Sequence, residues 1–312
     1  MSPHENSKKR AEEQSPLQPR ERIIITRRSG SRSGIAIARD WSVIIFLIVV
    51  SKWFGLWWVT IVCLLGIGVM QFALGEALLH EASHYNLFRQ PRWNRWMGVF
   101  YALPFFTTVE DWRKEHMLHH TRFGTPDDHI VQFYAEQGLT QKSPRIGWVC
   151  FGKPLSGLVM VEHLRGLRDL NSPRGWFQIG AFWIPVVTLC CLIHGVSWLA
   201  FYWLLPLLTV YTTLLHWSEI ADHYRTRSGT RSRIGWLQNW LWHNNGYHAV
   251  HHCFPSIPFY RLSTAHRSLQ AGCPDISRGW LDVWHQISSV SDLPDGARAE
   301  FWPARIRSTQ EE

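Results

Sequence analysis

Residues 175–218 read "GWFQIGAFWIPVVTLCCLIHGVSWLAFYWLLPLLTVYTTLLHWS", 44 residues without one Asp, Glu, Lys or Arg. A helix needs roughly 20 apolar residues to cross the hydrocarbon of a bilayer, so this run is long enough for two crossings joined by a short turn near His194–Ser197. A second uncharged run, Trp53–Gly75, covers 23 residues. Before it, Trp41–Ser51 is apolar, and extending back to Ile35 gives a further span despite Arg39 and Asp40. The expected spans are therefore 35–51, 56–77, 176–193 and 197–217. Buried cores of soluble proteins are not built from uncharged runs of this length. The expected fold class is an all-α integral membrane protein with four transmembrane helices.

The rest of the composition fits this frame. The chain has 312 residues and a formal net charge of +8. That charge does not form a stripe on one helix, so nucleic-acid binding is not expected. It gathers in the N-terminal segment (Lys8, Lys9, Arg10, Arg20, Arg22, Arg27, Arg28, Arg32), in the loop before Trp176, and after Glu219. With four spans these segments share one side, and the two short turns opposite carry only Lys52. The bias places both termini in the cytoplasm. The six cysteines include no Cys-x-x-Cys pair, which excludes a thiolate zinc site and a disulfide framework. Residues 1–34 read as a disordered basic arm, 35–285 as the membrane domain and 286–312 as a polar tail. Segments 95–106 and 148–161 are apolar but short and broken by Pro and Gly, which predicts interfacial or re-entrant pieces.

Histidine carries the chemistry. His80 and His84 stand four apart in "HEASH". His116, His119 and His120 form His-x-x-His-His, and His248, His251 and His252 repeat it within "HNNGYHAVHH" (243–252). Helical offsets of three and four put each set on one face. No span lies between the first two clusters and two lie before the third, so all eight imidazoles fall on one side of the membrane. Zinc sites take three or four ligands, so eight imidazoles suit two metal ions, and nitrogen ligands without thiolate fit Fe, Zn, Cu or Ni. The cytoplasmic helical cap is expected to hold such a dinuclear site. His223, at the edge of the fourth span with Glu219 one turn earlier, is a ninth candidate, whereas His216 reads as a packed, hydrogen-bonded histidine. Metal-bound imidazoles hand their second N–H to a carboxylate or carbonyl; Glu81, Glu115, Glu219, Asp222, Asn244 and Asn245 are near enough in sequence to serve.

With these residues in place the chain resembles the membrane fatty acid desaturases of the histidine-box, non-haem di-iron type. "HEASH" (80–84), "HMLHH" (116–120) and "HNNGYHAVHHCFPSIPFYRL" (243–262) resemble the three boxes in order, the last followed by the family's Pro-x-x-Pro-x-x-x-Leu as Pro255, Pro258 and Leu262. "HHTRFGTPDDH" (119–129) is also similar to the family, and the resemblance covers about residues 40–275. It implies that the eight box histidines are iron ligands and that His223 and Glu219 match an extra histidine and a water-bridging polar residue, often Asn in the family.

The resemblance further implies two iron ions, O2 as co-substrate, and removal of two hydrogens from an unactivated carbon chain, an acyl lipid or related aliphatic. The metal supplies the O2 chemistry and the protein the orientation and dryness. No haem or flavin fingerprint appears, so the two electrons come from a separate ferredoxin-like or cytochrome-like donor. Arg113, Lys114, Arg225 and Arg227 are candidates to dock it. Alternatives within the class are a hydroxylase and a desaturase of a small secondary metabolite, such as a rhizobitoxine-like enol-ether amino acid. Outside the class, a metal-binding membrane transporter would want ionisable residues within its spans.

Overall fold

The computed structural model describes residues 24–269 and 275–289. Most of the expected N-terminal arm (1–23) and C-terminal tail (290–312) lies outside the described residues. Among the described residues four helices are long and apolar enough to cross a membrane: α1 (Gly30–Phe54), α2 (Trp57–Ser83), α6 (Pro173–Leu192) and α7 (Val196–His223). Between α2 and α6 come α3 (Val109–Arg122), α4 (His129–Glu136) and α5 (Leu158–Leu170). After α7 come α8 (Trp236–Leu241), α9 (His248–Cys253), α10 (Phe259–Leu269) and α11 (Trp280–Ser288). A parallel pair of two-residue strands, β1 (Ser232–Arg233) and β2 (Ile276–Ser277), departs from the all-α expectation. It sits in the cap, where the N–H groups of Ser232 and Ile234 donate to the carbonyls of Asp275 and Ser277 and the Arg233 carbonyl accepts from Gln238 and Asn239 of α8.

α1 starts five residues before the expected 35, so the end of the supposed arm is helix. Ser33 is fully buried and its Oγ donates to the Leu87 carbonyl at 2.7 Å, which ties this turn to the chain following α2. The two charges inside α1 have partners. Asp40 accepts from Arg39 at 2.6 Å and lies 2.7 Å from His243 Nε2, and Arg39 also donates to the carbonyls of Trp240 and Leu241. A charge pair whose remaining donors meet carbonyls is tolerable at membrane depth, where an unpaired one is not. α1 ends on Gly55, whose φ of 63° is the left-handed cap that favours glycine, and its N–H bonds the Ser51 carbonyl. α2 runs antiparallel to it after a two-residue turn.

The outward faces of the spans are apolar, with Trp53, Trp57, Phe177, Ile184 and Leu192 each more than half exposed. In water such a surface is a liability; in lipid it is the solvent-facing side. The segment 95–106 does not lie on the surface throughout. Tyr101, Ala102 and Phe105 join the buried core, and Trp183 of α6 and Trp203 of α7 donate indole N–H groups to the carbonyls of Leu103 and Pro104. It is a re-entrant wedge, tolerated because its backbone polar groups are met by protein. The segment 148–161 has both characters. Val149 and Cys150 are buried against α7, while Trp148, Phe151 and Leu155 face outward as an interfacial piece does.

Asp40 holds the cap to the first span. Asp40→Ala leaves Arg39 and His243 without their carboxylate, which is expected to cost about 3–5 kcal/mol. The thermal midpoint of the detergent-purified variant should drop well below wild type, whereas Trp53→Ala, on the outward face, should leave it nearly unchanged. Equal midpoints for both variants would contradict the role given to Asp40.

Candidate metal centre

Four elements bring histidine side chains to one place. His80 lies in the last turn of α2 and His84 just beyond it. α3 is started by Thr108, whose Oγ1 accepts from the Asp111 N–H at 3.1 Å, with Glu110 and Asp111 in the first turn, and it carries His116, His119 and His120. His223 closes α7, and α9 carries His248, His251 and His252. The turn before α9 is sharp: His243 and Asn244 both adopt positive φ. A Cβ on Gly246 would come within 2.4 Å of the Arg233 carbonyl, so only glycine lets the chain pass.

The imidazoles form two adjoining groups. In the first, His84 Nε2 lies 2.8 Å from His116 Nε2 and 3.1 Å from His251 Nε2, and His116 Nε2 is 3.0 Å from His120 Nε2. His80 completes it; its Nε2 is buried with no hydrogen-bond partner, and ligand atoms of all five lie within 4.8 Å of one another. In the second, His248 Nε2 is 3.0 Å from His223 Nε2 and 2.9 Å from His252 Nε2, with His119 Nε2 at 3.4 Å from His252 Nε2. The His120 and His252 rings, 4.3 Å apart, join the groups.

Two tautomers follow from the outer contacts. His223 Nδ1 faces the Gly229 carbonyl at 3.0 Å, and His119 Nδ1 faces Asp128 Oδ1 at 2.8 Å. Acceptors there require the proton on Nδ1, so in the neutral ring Nε2 presents a bare lone pair to the cluster. A bare Nε2 at these separations can take either a metal cation or the Nε2–H of a neighbouring neutral ring. Burial, followed by neighbouring imidazoles, holds His84, His116, His248, His251 and His252 well below the ordinary histidine range. The rings are thus neutral near pH 7, the form that binds metal. His129 is lowered to about 4 by burial and then by His119. Burial works to raise Asp128, but its bonds to His119 and to the N–H groups of Gly124 and Ile130 outweigh it and hold the carboxyl down.

All nine sequence-predicted histidines meet here. The proposed outer partners fare differently. Glu81 Oε1 is 3.9 Å from His251 Nδ1, and its other oxygen accepts the Phe259 N–H at 2.9 Å. Glu115, Glu219 and Asn245 line the neighbouring cavity. Among the described residues Asp222 makes no hydrogen bond or ion pair with an imidazole: it pairs with Arg233 Nε at 2.9 Å and accepts from Ser218, locking β1 onto α7. Asn244 donates to the Phe259 carbonyl and braces α10 instead. His216 donates from Nε2 to the Val149 carbonyl at 2.9 Å, away from the cluster. The partners that sequence reasoning left without a role are Asp128, His129 and Gly229; His119, Asp128 and His129 form a third close group. Asp128 had a signal, since it also caps α4. Gly229 had none, because a backbone carbonyl leaves no mark in a sequence.

Beside the second group opens a cavity of about 920 Å³. Leu79, Phe105 and Trp112 give it apolar walls, and Glu76, Glu115 and Glu219 also face it. Glu76 sits in a π-helical stretch of α2, Ala73–Leu78, of the kind found at functional sites.

A family model described as "Fatty acid desaturase" matches residues 55–284. The chain belongs to the fatty acid desaturase family. It is 26% identical over 279 residues to dihydrorhizobitoxine desaturase of Bradyrhizobium elkanii, covering 79% of this chain and 78% of that one. It is 29% identical over 192 residues to a sphingolipid delta(4)-desaturase of Oryza sativa subsp. japonica, covering 59% and 56%. With a fatty acid desaturase of Bacillus subtilis it shares 22% over 221 residues, covering 61% and 62%. These relatives are oxidoreductases by name.

The low histidine values fix how the metal-free protein responds to acid. A folded-state value below the unfolded one, about 6.5, means the unfolded chain binds more protons, so stability is full above that pH and is lost as pH falls. Chelator-treated protein should show a thermal midpoint that is flat above about pH 7 and declines steadily from about pH 6.5 toward 4.5. A midpoint that rises on acidification would contradict the buried neutral cluster.

Proposed function

We propose that this protein is a membrane-bound, O2-dependent, non-haem di-iron desaturase that places a carbon–carbon double bond in an aliphatic substrate. The observation that carries the reading is the convergence of nine imidazole nitrogens in two groups. His80, His84, His116, His120 and His251 would hold one iron, and His119, His223, His248 and His252 the other. The donor set fits: bare Nε2 atoms, an orphaned buried Nε2 on His80, and no thiolate among the ligands. When bound, the iron pair supplies O2 activation and the oxidising power that removes two hydrogens from adjacent carbons, with two electrons from an outside donor.

The chain does the rest. Asp128 and Gly229 fix ring orientation, so the ligand nitrogens need no rearrangement. The cavity holds substrate against His80, His119 and His248, and Trp112 and Phe105 shield it from water. Desaturation and hydroxylation share the first hydrogen removal, and how firmly the walls hold the second carbon decides between them. Both termini and the metal centre lie on the cytoplasmic side in this reading, 35–285 forms one membrane domain, and the donor is a soluble ferredoxin-like or cytochrome-like protein. Of the four basic residues considered for docking it, Arg113 and Arg225 donate to backbone carbonyls, leaving Lys114 and Arg227 exposed. Family membership favours an oxidoreductase over a metal transporter.

A second reading concerns the substrate. The carboxylates of Glu76 and Glu219 face the cavity and make no hydrogen bond or ion pair among the described residues. A site for a plain acyl chain is lined by apolar groups with few polar ones. The polar lining, acidic and basic side chains together, supports a compact substrate with a polar head, and one relative is named dihydrorhizobitoxine desaturase. Mass spectrometry of lipids and polar metabolites from cells with and without the gene tests this: a new double bond in a small polar compound is expected, and one confined to long acyl chains would overturn it.

Purified protein should carry close to two irons per chain. His223→Ala should abolish turnover with expression and membrane insertion intact, while His216→Ala should lower stability and retain activity. Full activity with a single metal, or the reverse pattern in the two variants, would sink the assignment.

A further inference from the structure

A second pocket, of about 400 Å³, lies where the chain enters α1. Arg27, Arg28, Arg32, Arg89 and Arg261 line it together with Tyr260, and no acidic side chain does. None of these five arginines makes an ion pair among the described residues. The Nε atoms of Arg28 and Arg261 are buried without a hydrogen-bond partner. Arg32 rests over the Tyr260 ring at 4.8 Å, and the Tyr260 hydroxyl donates to the Arg27 carbonyl at 2.9 Å, so α10 and the start of α1 hold the pocket's shape. The first turn of α1 opens on the pocket: Ser29 makes no side-chain cap bond to its N–H groups, and that turn carries no acidic residue.

Five guanidinium groups around one hollow repel each other, and unsatisfied buried donors add to the cost. One multiply charged anion with several acceptor oxygens answers both, and arginine forks match phosphate oxygens two at a time. The level is also informative. Ile35, one to two turns along α1, is 70% exposed, so the pocket lies at the end of a helix whose outward face is apolar and long enough to cross a membrane. It shares no lining residue with the large cavity beside the histidines.

We propose that this arginine pocket binds a phosphate group, presented by an anionic phospholipid headgroup or by a soluble phosphate compound. Occupancy braces the metal centre at one remove. α10 follows α9, and its first N–H is held by Glu81, the neighbour of His80.

The test uses the full chain in nanodiscs of phosphatidylcholine with rising phosphatidylglycerol, and separately in pure phosphatidylcholine with inorganic phosphate. Retained phospholipid is read by native mass spectrometry and the thermal midpoint is followed in both. Wild type should retain one or two phosphatidylglycerol molecules and gain stability. Arg32→Gln/Arg261→Gln should bind at least about tenfold more weakly, the loss expected from one good charge-assisted contact. Arg32→Lys/Arg261→Lys should recover only part, because lysine cannot fork. Lys142→Gln/Arg145→Gln removes the same charge from exposed positions elsewhere and should bind as wild type does. Stabilisation by inorganic phosphate without any lipid preference assigns the soluble source and keeps the site. Equal retention by the wild type and the glutamine variant, or equal loss in the distant control, would reduce the pocket to general surface charge and overturn the proposal. Monodisperse elution of each variant shows that it is folded.

Discussion

The molecule is organised around nine imidazole nitrogens that approach one another at 2.8–3.4 Å where contacts are closest. Two of the rings, His119 and His223, keep their proton on Nδ1 and turn a bare Nε2 inward, so the fold must hold the rings together and keep them neutral. It does so with outer contacts and not with the rings themselves. Asp128 and the Gly229 carbonyl set two tautomers, the Asp222–Arg233 pair locks β1 to α7, and Asn239 accepts from Gly246 to hold the turn into α9. Each is a buried polar contact, strong because the surroundings are dry and costly if half made.

The spans serve this cluster by delivering their ends. α2 and α7 both finish in histidine-bearing turns, and the paired crossing of α6 and α7 returns the chain to the side it left. Any odd number of crossings between His120 and His248 would separate the boxes by a bilayer. The wedge at Leu103–Phe105 is tied to two spans by the indole N–H groups of Trp183 and Trp203.

Much of this could be read from the residues. The uncharged runs 53–75 and 175–218 mark the spans, because the hydrocarbon imposes a length and excludes charge. The His-x-x-His-His repeats mark the cluster, because helical spacing fixes which rings share a face. What could not be read was tertiary. Arg39 and Asp40 look like defects in a span until His243, some two hundred residues away, is seen to complete them. Asp222 and Asn244 looked like partners for histidine by proximity in sequence, yet the chain turns them toward Arg233 and Phe259. The carboxylates of Glu76 and Glu219 meet in one cavity only after α2 and α7 pack, so the polar character of that cavity was invisible in either helix alone.

X-ray absorption at the iron edge of the purified protein tests the central claim most directly. A first shell of nitrogen and oxygen alone, near 2.0–2.2 Å as imidazole ligation requires, with no sulfur, is the result this account predicts. Sulfur scattering near 2.3 Å, or a metal-edge signal from zinc alone in active protein, would contradict it.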